Sequence, residues 1–160
     1  MTEELLPDWH HLPANPYNPH AWIIGQPAIG EGCWIGAFTI IDGSGGLVIG
    51  DGCEVSAGAQ IYTHSTVARV ISERATGIQR SPVAIGDHVH IGAGAIVLMG
   101  TRIGHHSVIG AGAVVLEDTT IPPWSLAVGS PARIIPDGAR KWIGTPGPKD
   151  LPGIPERGAL

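Results

Sequence analysis

Seven aliphatic residues stand six apart in one unbroken run: Ile85, Ile91, Val97, Ile103, Ile109, Val115 and Ile121. About a quarter of the chain is Ile, Leu or Val, so such a run in a fixed register has a chance of about 10⁻⁴. Ile23, Ile29, Ile35 and Ile41 make a second run, and Ile49, Val55 and Ile61 a third. The step from Ile41 to Ile49 is eight, so the turn DGSGGL carries two extra residues. Small residues recur four places after the aliphatic, at Cys33, Thr39, Cys53, Ala59, Ser65, Ala95, Thr101, Ser107 and Ala113. Neither a helix nor a single strand has this period. It suits a parallel β-helix with three flat sides, ~18 residues per coil. The aliphatic fills the interior, the small residue fits a corner, and each coil hydrogen-bonds the next ~4.8 Å away. About fifteen repeats predict an all-β domain of about five coils.

The repeat covers residues 23–135. Ahead of it, residues 1–22 form a Pro/Asn/His-rich cap. Behind it, residues 136–160 form a Pro/Gly-rich tail with one short helix expected near Asp137–Trp142. The chain has 24 glycines and 14 prolines, a composition that without a repeat would suggest disorder. The net charge of −5 supplies no basic face for nucleic acid. The start, MTEELLPDW, is acidic and lacks the apolar core of a signal peptide. No run approaches the ~20 apolar residues that span a membrane. Two cysteines, Cys33 and Cys53, cannot build a disulfide framework or a four-thiolate zinc site. Both fall at corner positions one coil apart, where they are expected to stack as small packers. A cytoplasmic protein is the expectation.

The largest interruption follows Ile61: 24 residues separate it from Ile85, and a loop of about 66–82 must leave the coil. It carries Arg69, Arg74 and Arg80 against Glu73. Loops on rigid scaffolds are where function concentrates. His64 stands at the foot of this loop, three places after Ile61, and should point outward. A neutral imidazole there can take a proton from a hydroxyl or amine near pH 7; spacing equally permits an ordinary surface histidine. Counting repeats from 41 to 61 returns to the same side one coil later, so Asp42 and His64 should be neighbours.

These features resemble the hexapeptide-repeat acyltransferases, among them the maltose, galactoside and xenobiotic acetyltransferases. The resemblance rests on the repeat and on Tyr62-Thr63-His64 ahead of a protruding loop. It rests also on the re-entry SPVAIGDHVHIG and the ending IPPWSLAVGSPARII, with its Gly-x-Pro-x-Arg. It implies a left-handed β-helix, a homotrimer with three sites at subunit interfaces, and a loop reaching over a neighbour. It implies acetyl-CoA as co-substrate and His64 as general base. In the sugar acetyltransferases an aspartate before a similar break contacts the acceptor, which would make Asp42 a substrate contact; orienting His64 is its other reading. His90 stands where the family often has tryptophan, so it would line the acceptor pocket. Coenzyme A would pass the backbone at Ala93 and Ala111 and place its phosphates near Arg133, whose donor fork suits them. Glu117 stands where many members have a phosphate-binding lysine; Arg102, Arg140, Lys141 or the basic loop would have to compensate. His105 and His106 read as surface residues of an ordinary turn.

A thioester donor needs no covalent enzyme nucleophile, and the chain has neither a nucleophile elbow nor a P-loop. The function expected is acyl transfer from acyl-CoA to a hydroxyl or amino group of a small acceptor, a sugar first. Two other readings compete. A γ-carbonic-anhydrase-like protein needs three histidines for its metal, and alanine and methionine hold two of those places in residues 91–100. A non-catalytic scaffold subunit would use Trp34, Phe38 and Trp124 as contacts. No metal is expected.

Overall fold

The computed structural model describes residue 12 and residues 14–144. Most of the expected cap and the tail beyond residue 144 lie outside the described residues. The chain is a left-handed parallel β-helix of hexapeptide repeats. Face one stacks Trp22–Ile24, Ile40–Asp42, Gln60–Ile61, Ile96–Val97 and Val114–Val115. Face two stacks Ala28–Ile29, Leu47–Ile49, Val83–Ile85, Arg102–Ile103 and Thr120–Ile121. Face three stacks Trp34–Ile35, Glu54–Val55, His90–Ile91, Val108–Ile109 and Leu126–Val128. Five strands per face make the five coils that the period predicts.

The hydrophobic repeat is what aligns the coils. On face one Ile23, Ile41, Ile61, Val97 and Val115 are successive partners. Face two stacks Ile29, Ile49, Ile85, Ile103 and Ile121, and face three Ile35, Val55, Ile91, Ile109 and Ala127. All but the first two isoleucines are buried. Ile23 and Ile29 belong to the first coil and are only half-buried. Each fully buried aliphatic contributes about 1.5–3 kcal/mol of transfer free energy. The corner residues are small because the chain bends there, and most of their buried polar groups find partners inside, Ser125 Oγ being the exception. Thr39, Thr101 and Ser107 are buried and donate to the carbonyls of Gly36, Leu116 and Pro122. Cys33 and Cys53 donate to the carbonyls of Gly50 and Gly86, both at 3.1 Å. Burial pushes the Cys53 thiol up to about 11, so it stays protonated, as a packing residue should.

A loop leaves the coil after Ile61 and has structure of its own. His64–Ser65 pairs antiparallel with Gln79–Arg80, and a five-residue α-helix, Val67–Ile71, lies between them. That helix buries none of its residues, and Val67, Val70 and Ile71 are exposed. At the far end Arg133–Ile135 turns back antiparallel on Leu126–Val128, after a cis peptide bond at Ser130–Pro131. A 3-10 helix, Gly138–Trp142, follows where a short helix was expected. No helix of the described residues is long and apolar enough to cross a membrane.

Replacing Ile109, which is fully buried, with alanine is expected to destabilise the fold by about 2–5 kcal/mol. Val48→Ala, at an exposed outward position, is expected to stay within about 0.5 kcal/mol of the parent. Thermal melts of the two variants beside the parent check this.

Candidate functional site: a buried carboxylate behind an outward histidine

Asp42 ends a face-one strand and opens the turn that holds the two extra residues. The turn folds back on the carboxylate: the Ser44 N–H donates to Oδ1 at 2.9 Å. One coil later Thr63 lies directly against it. The Thr63 N–H donates to Asp42 Oδ2 at 2.9 Å, and its hydroxyl reaches the Asp42 carbonyl at 2.9 Å and Oδ2 at 3.1 Å. The same hydroxyl accepts the Gly45 N–H at 2.8 Å. Gly45 approaches so closely that a Cβ there would run into the Thr63 carbonyl, which is why this turn is glycine-rich. The last partner is His64, whose Nδ1 lies 2.7 Å from Asp42 Oδ2.

The electrostatics follow from this crowding. Burial alone would raise the Asp42 carboxyl, but the donors from Thr63, Ser44 and His64 outweigh it and hold it well below the usual carboxylate range. An ionised carboxylate only accepts, so Nδ1 of His64 carries the shared hydrogen, and it is the neutral form of that tautomer that has its lone pair on Nε2. Asp42 is wholly buried, whereas the His64 side chain is 36% exposed. The expected substrate contact of Asp42 is therefore corrected: this carboxylate has no open face, and both oxygens are already occupied. The Tyr62 ring stands edge-on to His64, with centroids 6.4 Å apart, and its hydroxyl donates to Gln60 at 2.7 Å.

The other expected residues gather elsewhere. His90, Ala93 and Ala111 all line a cleft of about 750 Å³ on face three. His90 is exposed and stands 3.6 Å from Glu54, its neighbour in the coil below. One wall of the cleft is a column of rings. His88, His106 and Trp124 occupy the same corner in successive coils, each with positive φ. His106 stacks on Trp124 at 4.3 Å and meets His88 at 4.9 Å. The guanidinium of Arg140 covers the outer side of Trp124 at 4.5 Å, while its Nε donates to Asp137. His106 is thus no simple surface residue, although His105 is exposed. Lys141 and Trp142 of the 3-10 helix close the cleft's far side.

Arg133 does not line the cleft; it pairs with Val128, which does. Glu117 and Arg102 are exposed away from it. His64 is also absent from its lining, for a geometric reason. Asp42 and His64 sit at the corner joining faces one and two, opposite face three. Among the described residues no group of three or more His, Cys, Asp or Glu is placed to hold a metal ion. Sequence reading missed Ser44, Gly45 and the second role of Thr63; the two-residue insertion after Asp42 was the signal that marked them.

Known proteins share the repeat and the fold. The family profile described as "Hexapeptide repeat of succinyl-transferase" matches residues 28–63 and 82–117, and the gap between the matches is the His64 loop. Nodulation protein L of Rhizobium meliloti (strain 1021) is 48% identical over 89 residues, 55% of this chain and 47% of its own length. The chain therefore spans about half the length of that relative. A mutant form of the N-acyltransferase AntD from Bacillus cereus, solved with dTDP and coenzyme A, superposes with a TM-score of 0.65 at 25% identity. That match covers 74% of this chain and 67% of the other. A maltose O-acetyltransferase from Clostridium difficile 630 gives 0.57 at 34% identity, over 72% of this chain and 65% of the other. With its period, its five-coil prism and these likenesses, the chain carries the hexapeptide repeat and the left-handed β-helix fold that these proteins share.

Proposed function

We propose that the chain is an acyltransferase that moves an acetyl or similar acyl group from acyl-CoA to a hydroxyl or amino group of a small acceptor. One observation carries the reading: a part-exposed histidine is held through Nδ1 by a buried aspartate, so that Nε2 is the ring nitrogen that Asp42 does not engage. In the transfer His64 Nε2 takes the acceptor proton as the acceptor oxygen or nitrogen attacks the thioester carbonyl. The carbon–sulfur bond then breaks, and the departing thiolate recovers the proton from His64. Asp42 stabilises the imidazolium in between and fixes the ring, a positioning role.

The cleft supports the donor side. Its small residues Ala93 and Ala111 leave backbone open to an extended chain such as pantetheine, and the AntD structure holds coenzyme A. A nucleotide end would find cations at Lys141, with Arg133 one residue pair away. The likeness to a maltose O-acetyltransferase favours a sugar-like acceptor. Because the base and the cleft lie on opposite sides of one prism, a working site requires a second copy of the chain. A homotrimer satisfies this with three equivalent sites. The exposed Val67, Val70 and Ile71 of the loop helix suit contact with a neighbouring subunit.

Calorimetric titration with acetyl-CoA is expected to show saturable binding near one molecule per subunit; absence of binding at millimolar ligand would overturn the reading. His64→Ala is expected to lower turnover, followed as thiol release, by about 10²–10⁴ with the fold unchanged. Unaltered turnover removes His64 as the base. Asp42→Asn tests the network through stability as well as rate. The folded carboxyl lies below its unfolded value of 3.8, so its stabilising contribution is complete above about pH 4. That contribution is lost as pH falls through the depressed folded value. Melting temperature against pH should therefore fall less steeply below pH 4 in the asparagine variant than in the parent.

A further inference from the structure

The loop returns to the coil through a strand that lies beside the candidate base. Gln79–Arg80 pairs antiparallel with His64–Ser65, and the register sets His64 directly opposite Arg80. Residues opposite each other in an antiparallel pair project on the same side. The next rung is fixed by the Ser81 N–H, which donates to the Thr63 carbonyl at 3.1 Å. Hydrogen-bonded and non-hydrogen-bonded pairs alternate, so His64 and Arg80 form the closer kind, with Cα atoms about 4.5 Å apart. The Arg80 side chain thus leaves the ribbon beside that of His64 and on the same side.

The charge around Arg80 is unbalanced. The residue is exposed and forms no ion pair among the described residues. The carboxylate behind His64 is buried, and its oxygens are taken by Ser44, Thr63 and His64 itself. The loop at 66–82 holds Arg69, Arg74 and Arg80 against the single acid Glu73, on a chain of net charge −5. A positive loop on a negative protein, with one arginine at the strand position opposite the candidate base, has the form of an anion site.

We propose that Arg80 determines acceptor specificity: its guanidinium binds an anionic group, phosphate or carboxylate, carried by the acceptor beside the hydroxyl or amine presented to His64. The inference rests on the reading of His64 as the base and narrows the acceptor from any small hydroxyl or amine to an anionic one. The donor fork of arginine matches both anions in a bidentate manner, and holding one end of the acceptor presents the other to Nε2. An uncharged sugar would lack that hold.

The test follows the ring-proton signal of His64 by NMR, assigned by its loss in His64→Ala. The protein is titrated with pyrophosphate and, separately, with malonate, without any acyl donor. A saturable shift is expected with at least one of the two; which anion produces it identifies the group. Arg80→Gln should weaken that binding at least tenfold, Arg80→Lys by less, and Arg69→Gln by no more than twofold. The Kd of acetyl-CoA, measured by calorimetry, should stay within twofold in Arg80→Gln. No shift in the parent protein, or equal binding by Arg80→Gln, overturns the proposal. A tenfold loss of acetyl-CoA affinity also overturns it, since Arg80 would then serve the donor. The anion titration needs no turnover, so its failure is separate from failure of the acyltransferase reading.

Discussion

Each coil of this molecule has to set its three inward aliphatics over those of the coil below. Everything else is arranged around that requirement. The ladders of Ile, Val and Ala on the three faces leave almost no interior volume for any other kind of residue, so polar chemistry is pushed to corners and outward positions. The backbone hydrogen bonds between coils then hold those positions at fixed heights. A solenoid core of this kind is a sum of neighbour contacts, and its rigidity is what gives the few irregular places a defined geometry.

The irregular places cooperate because they fall at one corner on adjacent coils. The short insertion after Asp42 turns backbone N–H groups onto the carboxylate. The long excursion after Ile61 begins with Thr63 and His64, which complete the same network from the coil above. Neither interruption would orient the imidazole alone. With the insertion absent, Asp42 would lose the Ser44 donor and the close approach of Gly45 to Thr63. With the excursion absent, the chain would pass directly from Ile61 to its next repeat, with no ribbon to hold His64 against Arg80.

The prism was legible in the sequence because a six-residue period needs no knowledge of distant contacts. Proximity of Asp42 and His64 followed from the same counting. The burial of Asp42 did not, because it depends on how the Gly43–Gly46 turn folds back, and spacing is silent on that. The excursion was equally opaque inside. It adds 18 residues to the ordinary step of six between Ile61 and Ile85, so the register resumes as though a coil had been completed, and no periodicity reveals which residues pair. Arg80 was visible only as one more basic residue. The stack of His106 on Trp124 was hidden for another reason. It arises where non-glycine residues take up the left-handed corner conformation that Gly32 and Gly52 occupy in earlier coils, bringing rings from distant repeats into contact.

The antiparallel return at the last coil has a consequence for assembly. A parallel prism ends in unpaired N–H and C=O groups, and another copy could add there as the next rung of a filament. Here Arg133–Ile135 takes the pairing positions of Leu126–Val128. The Val114 N–H donates to Gly129 and its carbonyl accepts from Ala132, at 3.0 and 2.8 Å. Two of the three terminal edges are thereby consumed by the chain itself. At this end the described residues therefore leave one strand edge, at Thr120–Ile121, open to pairing along the axis, whereas the cleft and the loop lie on the flanks.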